Sequence, residues 1–115
     1  MRIRSEKVTR YGYTFRSKAE AAFADTLEAR LRSAKIAGWT YEPFFYTLTV
    51  NGTKVAKYLP DFLIDHNDGS DEIVEVKGYW TDAARLKIKL FNALHPEIKF
   101  SIIGTPLDKR RKKRG

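Results

Sequence analysis

Tyr58-Leu59-Pro60-Asp61-Phe62-Leu63-Ile64, followed after a polar turn by Ile73-Val74-Glu75-Val76-Lys77-Gly78, is the stretch on which the fold of this chain turns. Each half is a short β-type run, and each carries an acid where a buried strand ordinarily places an apolar side chain. Side chains alternate with period two, so Phe62, Ile64, Val74 and Val76 line one face, and Asp61, Leu63, Asp65, Ile73, Glu75 and Lys77 the other. The linker His66-Asn67-Asp68-Gly69-Ser70 has turn composition. An antiparallel hairpin symmetric about Asp68 sets Asp61 opposite Glu75, with Cβ atoms roughly 4.5 to 5.5 Å apart. Like charges facing each other destabilise a sheet unless a cation lies between them. A register shift of two keeps both acids on one face, and a shift of one separates them. Pro60 cannot donate to a ladder, so a break is expected there.

Upstream, Trp39, Tyr41, Phe44, Phe45, Tyr46, Leu48 and Val50 form a β-like run ending at Asn51-Gly52, a strong hairpin signal, and the return strand starts near Thr53 and continues through Tyr58. Earlier still, Ser17 stands three residues before Glu20, the spacing of a capping box, and the helix it opens is expected to run to about Ala37, where Gly38 ends it. Phe23, Leu27, Leu31 and Ala34 make its buried stripe. Glu20 falls on that inward face, where an unpaired carboxylate is costly. Two readings of it stay open: a capping carboxylate that bends back to the Ser17 amide, or a ligand projecting toward the sheet. Residues 1–16 alternate basic with apolar or aromatic residues without helical period and read as a basic arm.

Downstream, Gly78 ends the strand and Thr81 is a fair N-cap for a helix to about Leu94, which His95-Pro96 stops. Leu86, Leu90 and Leu94, with Ala83, are its expected buried stripe, while Arg85, Lys89 and Asn92 share a face that meets either phosphates or water. Lys99 to Ile103 reads as a last strand, and Gly104-Thr105-Pro106 releases the chain. The order predicts an α/β fold with an α-β-β-β-α-β core, a mixed central sheet and helices on both faces. It divides the chain into an arm (1–16), a single domain (17–108) and a basic flexible tail (109–115).

A chain of 115 residues with 43% hydrophobic content suits one core. It has no cysteine, which excludes disulfides, thiolate metal sites and cysteine nucleophiles and leaves oxygen or imidazole to hold any metal. The net charge of +8 is concentrated in Lys109 to Arg114; residues 1–108 carry sixteen basic and fourteen acidic residues. Such a run favours a polyanion through counterion release, or else simply keeps a solvated tail in solution. No run of about 18 apolar residues offers a membrane span, and no apolar signal region follows the basic N-terminus, so the expected location is the cytoplasm.

Mg²⁺ takes hard oxygen ligands, one or two of them carboxylates. Asp61 and Glu75 meet that requirement, the Val76 carbonyl adds an oxygen, and Glu20 joins them if it reaches the same face. Lys77 shares the face of Glu75, where it either pairs with the acids in a salt bridge or stabilises charge developing on a phosphoryl group. Asp61, then Glu-x-Lys fourteen residues on, both in β-type runs and with an upstream helical Glu, favours the second role. Candidate DNA contacts are Arg2, Arg4, Lys7, Arg10, Arg16 and Lys18 near the N-terminus, Arg85 and Lys89 on the second helix, and Lys109, Arg110, Arg111, Lys112, Lys113 and Arg114 in the tail.

Four segments, Phe15-Arg16-Ser17-Lys18-Ala19-Glu20, Tyr58-Leu59-Pro60-Asp61-Phe62-Leu63, Val74-Glu75-Val76-Lys77-Gly78-Tyr79-Trp80 and His95-Pro96-Glu97-Ile98, resemble in order and spacing the PD-(D/E)xK nuclease superfamily. Within it, they are most similar to the phage endonuclease I group of four-way-junction resolving enzymes. The resemblance implies a restriction-endonuclease-like core and a Mg²⁺-dependent nuclease, with Mn²⁺ as an alternative ion. Its acidic ligands would be Glu20, Asp61 and Glu75, its catalytic lysine Lys77, and its substrate branched DNA, cut in the host cell's cytoplasm if the chain is phage-encoded. Resolving enzymes of this group are homodimers that exchange segments through an extended bridge. Asn51-Gly52 lies in the region of that bridge and favours a local turn there instead. Two other expectations stand beside this one: a nicking, repair or transposon-end nuclease acting on duplex DNA, and a non-catalytic basic nucleic-acid-binding protein using Tyr79 and Trp80 as stacking surfaces.

Overall fold

The structure is a computed structural model and describes residues 6–107. In chain order its elements are β1 (Val8–Arg10), β2 (Tyr13–Phe15), α1 (Lys18–Arg32), β3 (Gly38–Tyr41), β4 (Tyr46–Val50), β5 (Thr53–Tyr58), β6 (Phe62–Asp65), β7 (Asp71–Lys77), α2 (Asp82–Leu94) and β8 (Lys99–Gly104). Residues 1–5 and 108–115, and with them Arg2, Arg4 and the run Lys109–Arg114, lie outside the described residues.

The β6–β7 hairpin adopts the expected register, pairing Phe62 with Val74, Leu63 with Ile73, Ile64 with Glu72 and Asp65 with Asp71. A slip of β6 by one residue would turn Phe62 and Ile64 off the apolar face and bring Asp61, Leu63 and Asp65 onto it, so burial fixes the pairing. Around this hairpin the central sheet runs β3-β6-β7-β8, antiparallel except for the parallel β7–β8 edge. Parallel neighbours need a long crossover, and α2 supplies it. The sheet is therefore mixed, and the elements associated with it follow the order α1-β3-β6-β7-α2-β8.

One face carries Phe62, Ile64 and Val74 into a core with Phe15, Ala21, Ala24, Leu27, Ile36 and Tyr41; the other carries Ile73 into a core with Leu48, Tyr58, Ile88 and Phe91. Helix α1 thus covers one face, and α2 with the β4–β5 hairpin covers the other. Phe62 is fully buried, its ring within 5.1–6.2 Å of those of Phe15, Phe23, Trp39 and Tyr41. Phe62→Ala is expected to destabilise the domain by about 4 kcal/mol, read as a fall in the urea midpoint, because a cavity at that convergence cannot close.

Four expectations need correction. The segment read as an arm folds from Val8 to Phe15 as a hairpin whose turn, Tyr11-Gly12, has positive φ (56° and 82°), and Phe15 is wholly buried. Three-residue strands are too short to show a period, which is why the segment looked irregular. Helix α1 ends at Arg32 and not near Ala37: Ser33 caps it, Ala34 is left-handed (φ 60°), and the chain turns so that the Ala37 N–H reaches the Asp65 carbonyl at 2.8 Å. Its buried residues are Glu20, Ala21, Ala24 and Leu27, with Phe23 and Leu31 half-buried and Ala34 exposed, because the small alanines let the helix lie close to the sheet. In α2 the buried residues are Ile88 and Phe91, with Leu90 and Leu94 half-buried against the same core as expected, while Ala83 is exposed and Leu86 is 70% exposed. Leu86 stands two residues from Ile88, about 200° around the helix, so both cannot face the sheet.

The Asn51-Gly52 turn closes β4 and β5 locally, with φ of 49° and 79°, as the tight hairpin turn requires. That pair forms its own two-stranded sheet. Phe44 and Phe45 fall outside its strands, since left-handed Glu42 (φ 46°) and Pro43 break the run after β3. Among the described residues no helix is long and apolar enough to cross a membrane.

Candidate functional site

The two acids of the β6–β7 hairpin meet just beyond the end of its ladder. Asp61 follows Pro60, which cannot donate, so regular pairing stops at Phe62 and side chains take over the hydrogen bonding. The Asp61 amide donates to Glu75 Oε1 at 3.1 Å, and Asp61 Oδ2 accepts the Val76 amide at 2.9 Å. The Tyr58 hydroxyl also donates to Glu75 Oε1. Lys77 Nζ stands 3.6 Å from Glu75 Oε2 and 5.3 Å from the centre of the Trp80 ring. Asp61, Glu75 and Lys77 are thus brought together as the alternation along the strands predicts.

The site is electrostatically strained in its uncompensated form. The Glu75 side chain is only 3% exposed. Burial, and then the charge of Glu75, push the Asp61 carboxyl up from 3.8 to about 7. Burial raises Glu75 as well, against the opposing donors Tyr58, Lys77 and the Asp61 amide. Burial and the neighbouring Glu75 drive the Tyr58 phenol far above its ordinary value, so it remains a donor. A buried carboxylate pair of this kind is relieved by a proton or by a cation.

The Lys77 carbonyl accepts the Thr105 amide at 2.8 Å, on the β8 side of the strand. Successive carbonyls alternate in direction, so the Val76 carbonyl points the other way, to the β6 side of the strand. The two carboxylates are hard-oxygen donors of the kind that Mg²⁺ or Mn²⁺ takes.

Glu20 is a neighbour and not a member of this pair. Its amide donates to Ser17 Oγ at 3.1 Å, the expected half of a capping box, but its carboxylate accepts from the Arg16 amide (2.9 Å) and the Tyr41 hydroxyl (3.0 Å), not from Ser17. Burial first and the charge of Asp61 second raise its pKa, so it senses the pair. Among the described residues no three Asp, Glu, His or Cys side chains form a group that could hold a metal ion. Of the three expected acidic ligands, Asp61 and Glu75 are joined through the Asp61 amide, and Glu20 stands beside them within range of the Asp61 charge.

Two cavities meet here. One, of about 450 Å³, is lined by Asp61 and Glu75 together with Phe45, Lys57 and Lys87; the other, of about 520 Å³, is lined by Glu20, Val76 and Tyr79. Arg16 and Lys77 line both. Of the basic residues expected to meet DNA, Arg16 therefore lies at the site, where it pairs with Glu42 at 2.8 Å. Arg10 pairs with Asp25, and Lys18 with Glu6 at 3.2 Å. Lys7 and Lys89 are exposed. Arg85 is half-buried, with Nε donating to the Leu107 carbonyl at 3.2 Å and its guanidinium 6.0 Å from the Trp80 ring. The residues missed from sequence are Tyr58, Tyr41, Phe45, Lys57 and Lys87. Only Tyr58 left a trace, as an aromatic closing a β run three residues before Asp61.

Gly104 secures Lys77 from the β8 side. Its φ is +105°, and a Cβ there would overlap the Lys77 carbonyl oxygen. Gly104→Ala is expected to destabilise the domain by roughly 2 kcal/mol or more, measured by urea unfolding, and to disturb the Lys77 main chain.

No curated protein matches the sequence. A family model described as "Protein of unknown function (DUF1064)" matches residues 1–110, nearly the whole chain. The chain therefore belongs to the DUF1064 family.

Proposed function

We propose that this protein is a metal-dependent endonuclease with a restriction-endonuclease-like core of the PD-(D/E)xK type, hydrolysing DNA phosphodiester bonds in four-way (Holliday) junctions. The observation that carries the reading is the buried Asp61–Glu75 pair, with Lys77 Nζ 3.6 Å from Glu75 and cations lining the cavity it opens into. The order α1-β3-β6-β7-α2-β8 and the resemblance of the segments around Glu20, Asp61 and Glu75-Val76-Lys77 support it.

Asp61, Glu75 and the Val76 carbonyl would hold Mg²⁺ or Mn²⁺, which when bound supplies Lewis-acid polarisation of the phosphoryl oxygen and a more acidic water. The chain's own groups do the rest. The Val76 amide fixes Asp61, and Tyr58 and the Asp61 amide fix Glu75, so both carboxylates are oriented in advance. Lys77, restrained between Glu75 and Trp80, orients the attacking water and offsets charge growing on the phosphorane. Arg16, Lys57 and Lys87 attract the phosphate backbone. Two symmetric cuts in a junction call for a homodimer, and the local closure of β4–β5 means that its contact need not exchange that segment.

The same local hairpin favours a second reading, in which an equivalent site nicks duplex DNA without an exchanged dimer. A labelled four-way junction, a duplex and a single strand, incubated at one salt concentration in Mg²⁺ or in EDTA, separate the two. Paired incisions of the junction in Mg²⁺ alone support the first reading, and equal cutting of the duplex supports the second. No cutting of any substrate in Mg²⁺ or Mn²⁺ overturns both.

A further inference from the structure

The cavity that holds the acids is edged by an aromatic ring that the fold does not use. Phe45 is 61% exposed, although it lines the same cavity as Asp61, Glu75 and Lys77. It sits in the connection between β3 and β4, after left-handed Glu42 and Pro43, so the backbone turn and not core packing sets its position. Its neighbour Phe44 has a ring partner in Tyr46 at 5.1 Å, whereas among the described residues no ring packs on Phe45. What stands over Phe45 is Lys57 Nζ, 5.8 Å from the ring centre. An apolar ring held in water beside a cationic, carboxylate-bearing cavity matches one kind of occupant, a flat apolar group attached to an anion.

We infer that Phe45 is a base-stacking residue: it receives one unstacked nucleobase of the strand to be cut, while Lys57 meets the adjoining phosphate. The inference rests on the nuclease reading and sharpens its substrate class. A base in a continuous duplex is covered on both faces by its neighbours, so only a nucleotide at a branch, mismatch or frayed end can stack on a protein ring without first being extruded. The substrate is therefore DNA already opened beside the scissile phosphate. Lys57, on β5, and Phe45, before β4, are carried at the base of one hairpin, so the two contacts are presented together.

The test uses a four-way junction carrying 2-aminopurine at the branch-point nucleotides. Its fluorescence is followed on binding in EDTA, and cleavage is followed separately in Mg²⁺, for the wild-type chain and for Phe45→Leu and Phe45→Trp. Phe45 is exposed, so these variants are expected to fold, and Leu keeps apolar bulk while removing the ring. Stacking predicts quenching by the wild-type and Trp proteins, loss of quenching with Leu, and a fall of about tenfold in kcat/KM for Leu alone. Lys57→Ala should raise KM and lower the salt slope of binding by about one. Quenching and cleavage by Phe45→Leu equal to wild type would overturn the inference and leave the nuclease reading intact. Quenching by wild type and Trp but not Leu, with no cleavage by any of them, would support the stacking contact and overturn the nuclease reading.

Discussion

Glu75→Gln is expected to abolish cleavage of a four-way junction in Mg²⁺, by at least about a thousandfold, while binding measured in EDTA stays within a few-fold of wild type. The substitution keeps the volume of a side chain that is 3% exposed and an oxygen for the Tyr58 hydroxyl and Asp61 amide to donate to. It removes the negative charge that a divalent ion and Lys77 both require. Asp61→Asn should behave alike, and Lys77→Ala should lose cleavage without losing metal affinity, because the lysine is no ligand. The separation of cleavage from binding is the informative part, since a misfolded protein would lose both. Glu75→Gln protein that cuts at the wild-type rate would remove Glu75 from the chemistry.

In EDTA the protein should lose stability as pH rises from about 4 to about 7, and Mg²⁺ or Mn²⁺ should restore it above pH 7. The sign follows from Asp61. Its carboxyl ordinarily titrates at 3.8 and is held at about 7 in the folded chain, so between those values the folded state binds more protons than the unfolded state, and raising the pH favours unfolding. Glu20 and Glu75 shift in the same direction, and the lowered Glu72 and Asp25 in the opposite one, so the comparison with Asp61→Asn isolates the effect. Thermal melts at pH 5 and pH 8 should show a fall of roughly 10 °C in EDTA for the wild type, recovered by Mn²⁺, with both changes much reduced in Asp61→Asn. A wild-type Tm that is flat with pH and indifferent to metal would mean that the carboxylates are not electrostatically opposed.

Much of this molecule is visible in short-range spacing. Ser17 and Thr81 cap their helices as their positions suggest, each accepting the amide three residues on. Asn51-Gly52 closes its hairpin, and the symmetry of the turn about Asp68 yields the observed register. What failed was the choice among competing local signals. Leu86 satisfies helical spacing with Leu90 and Leu94 as well as Ile88 and Phe91 satisfy it with each other, and only the position of the sheet beneath α2 leaves Leu86 exposed while Leu90 and Leu94 pack against the Ile88–Phe91 core. Gly38 looked like a helix stop, but it starts β3, where a Cβ would come 3.2 Å from Asp65 Oδ2. Tyr13 and Phe15 carry strand alternation in a run too brief to distinguish from an arm.

The sequence by itself determined that Asp61, Glu75 and Lys77 share one face at one end of a hairpin, because the two-residue period of a strand and the geometry of a turn are local properties. Tertiary structure alone decided how that face behaves. Tyr58 from β5 reaches Glu75, Tyr41 from β3 and the Arg16 amide take up the Glu20 carboxylate, and Phe45 and Lys57 edge the cavity. Desolvation also depends on everything packed around a group at once. The burial that lifts Asp61 toward neutrality exists only once α2, the β4–β5 hairpin and the sheet have closed over it.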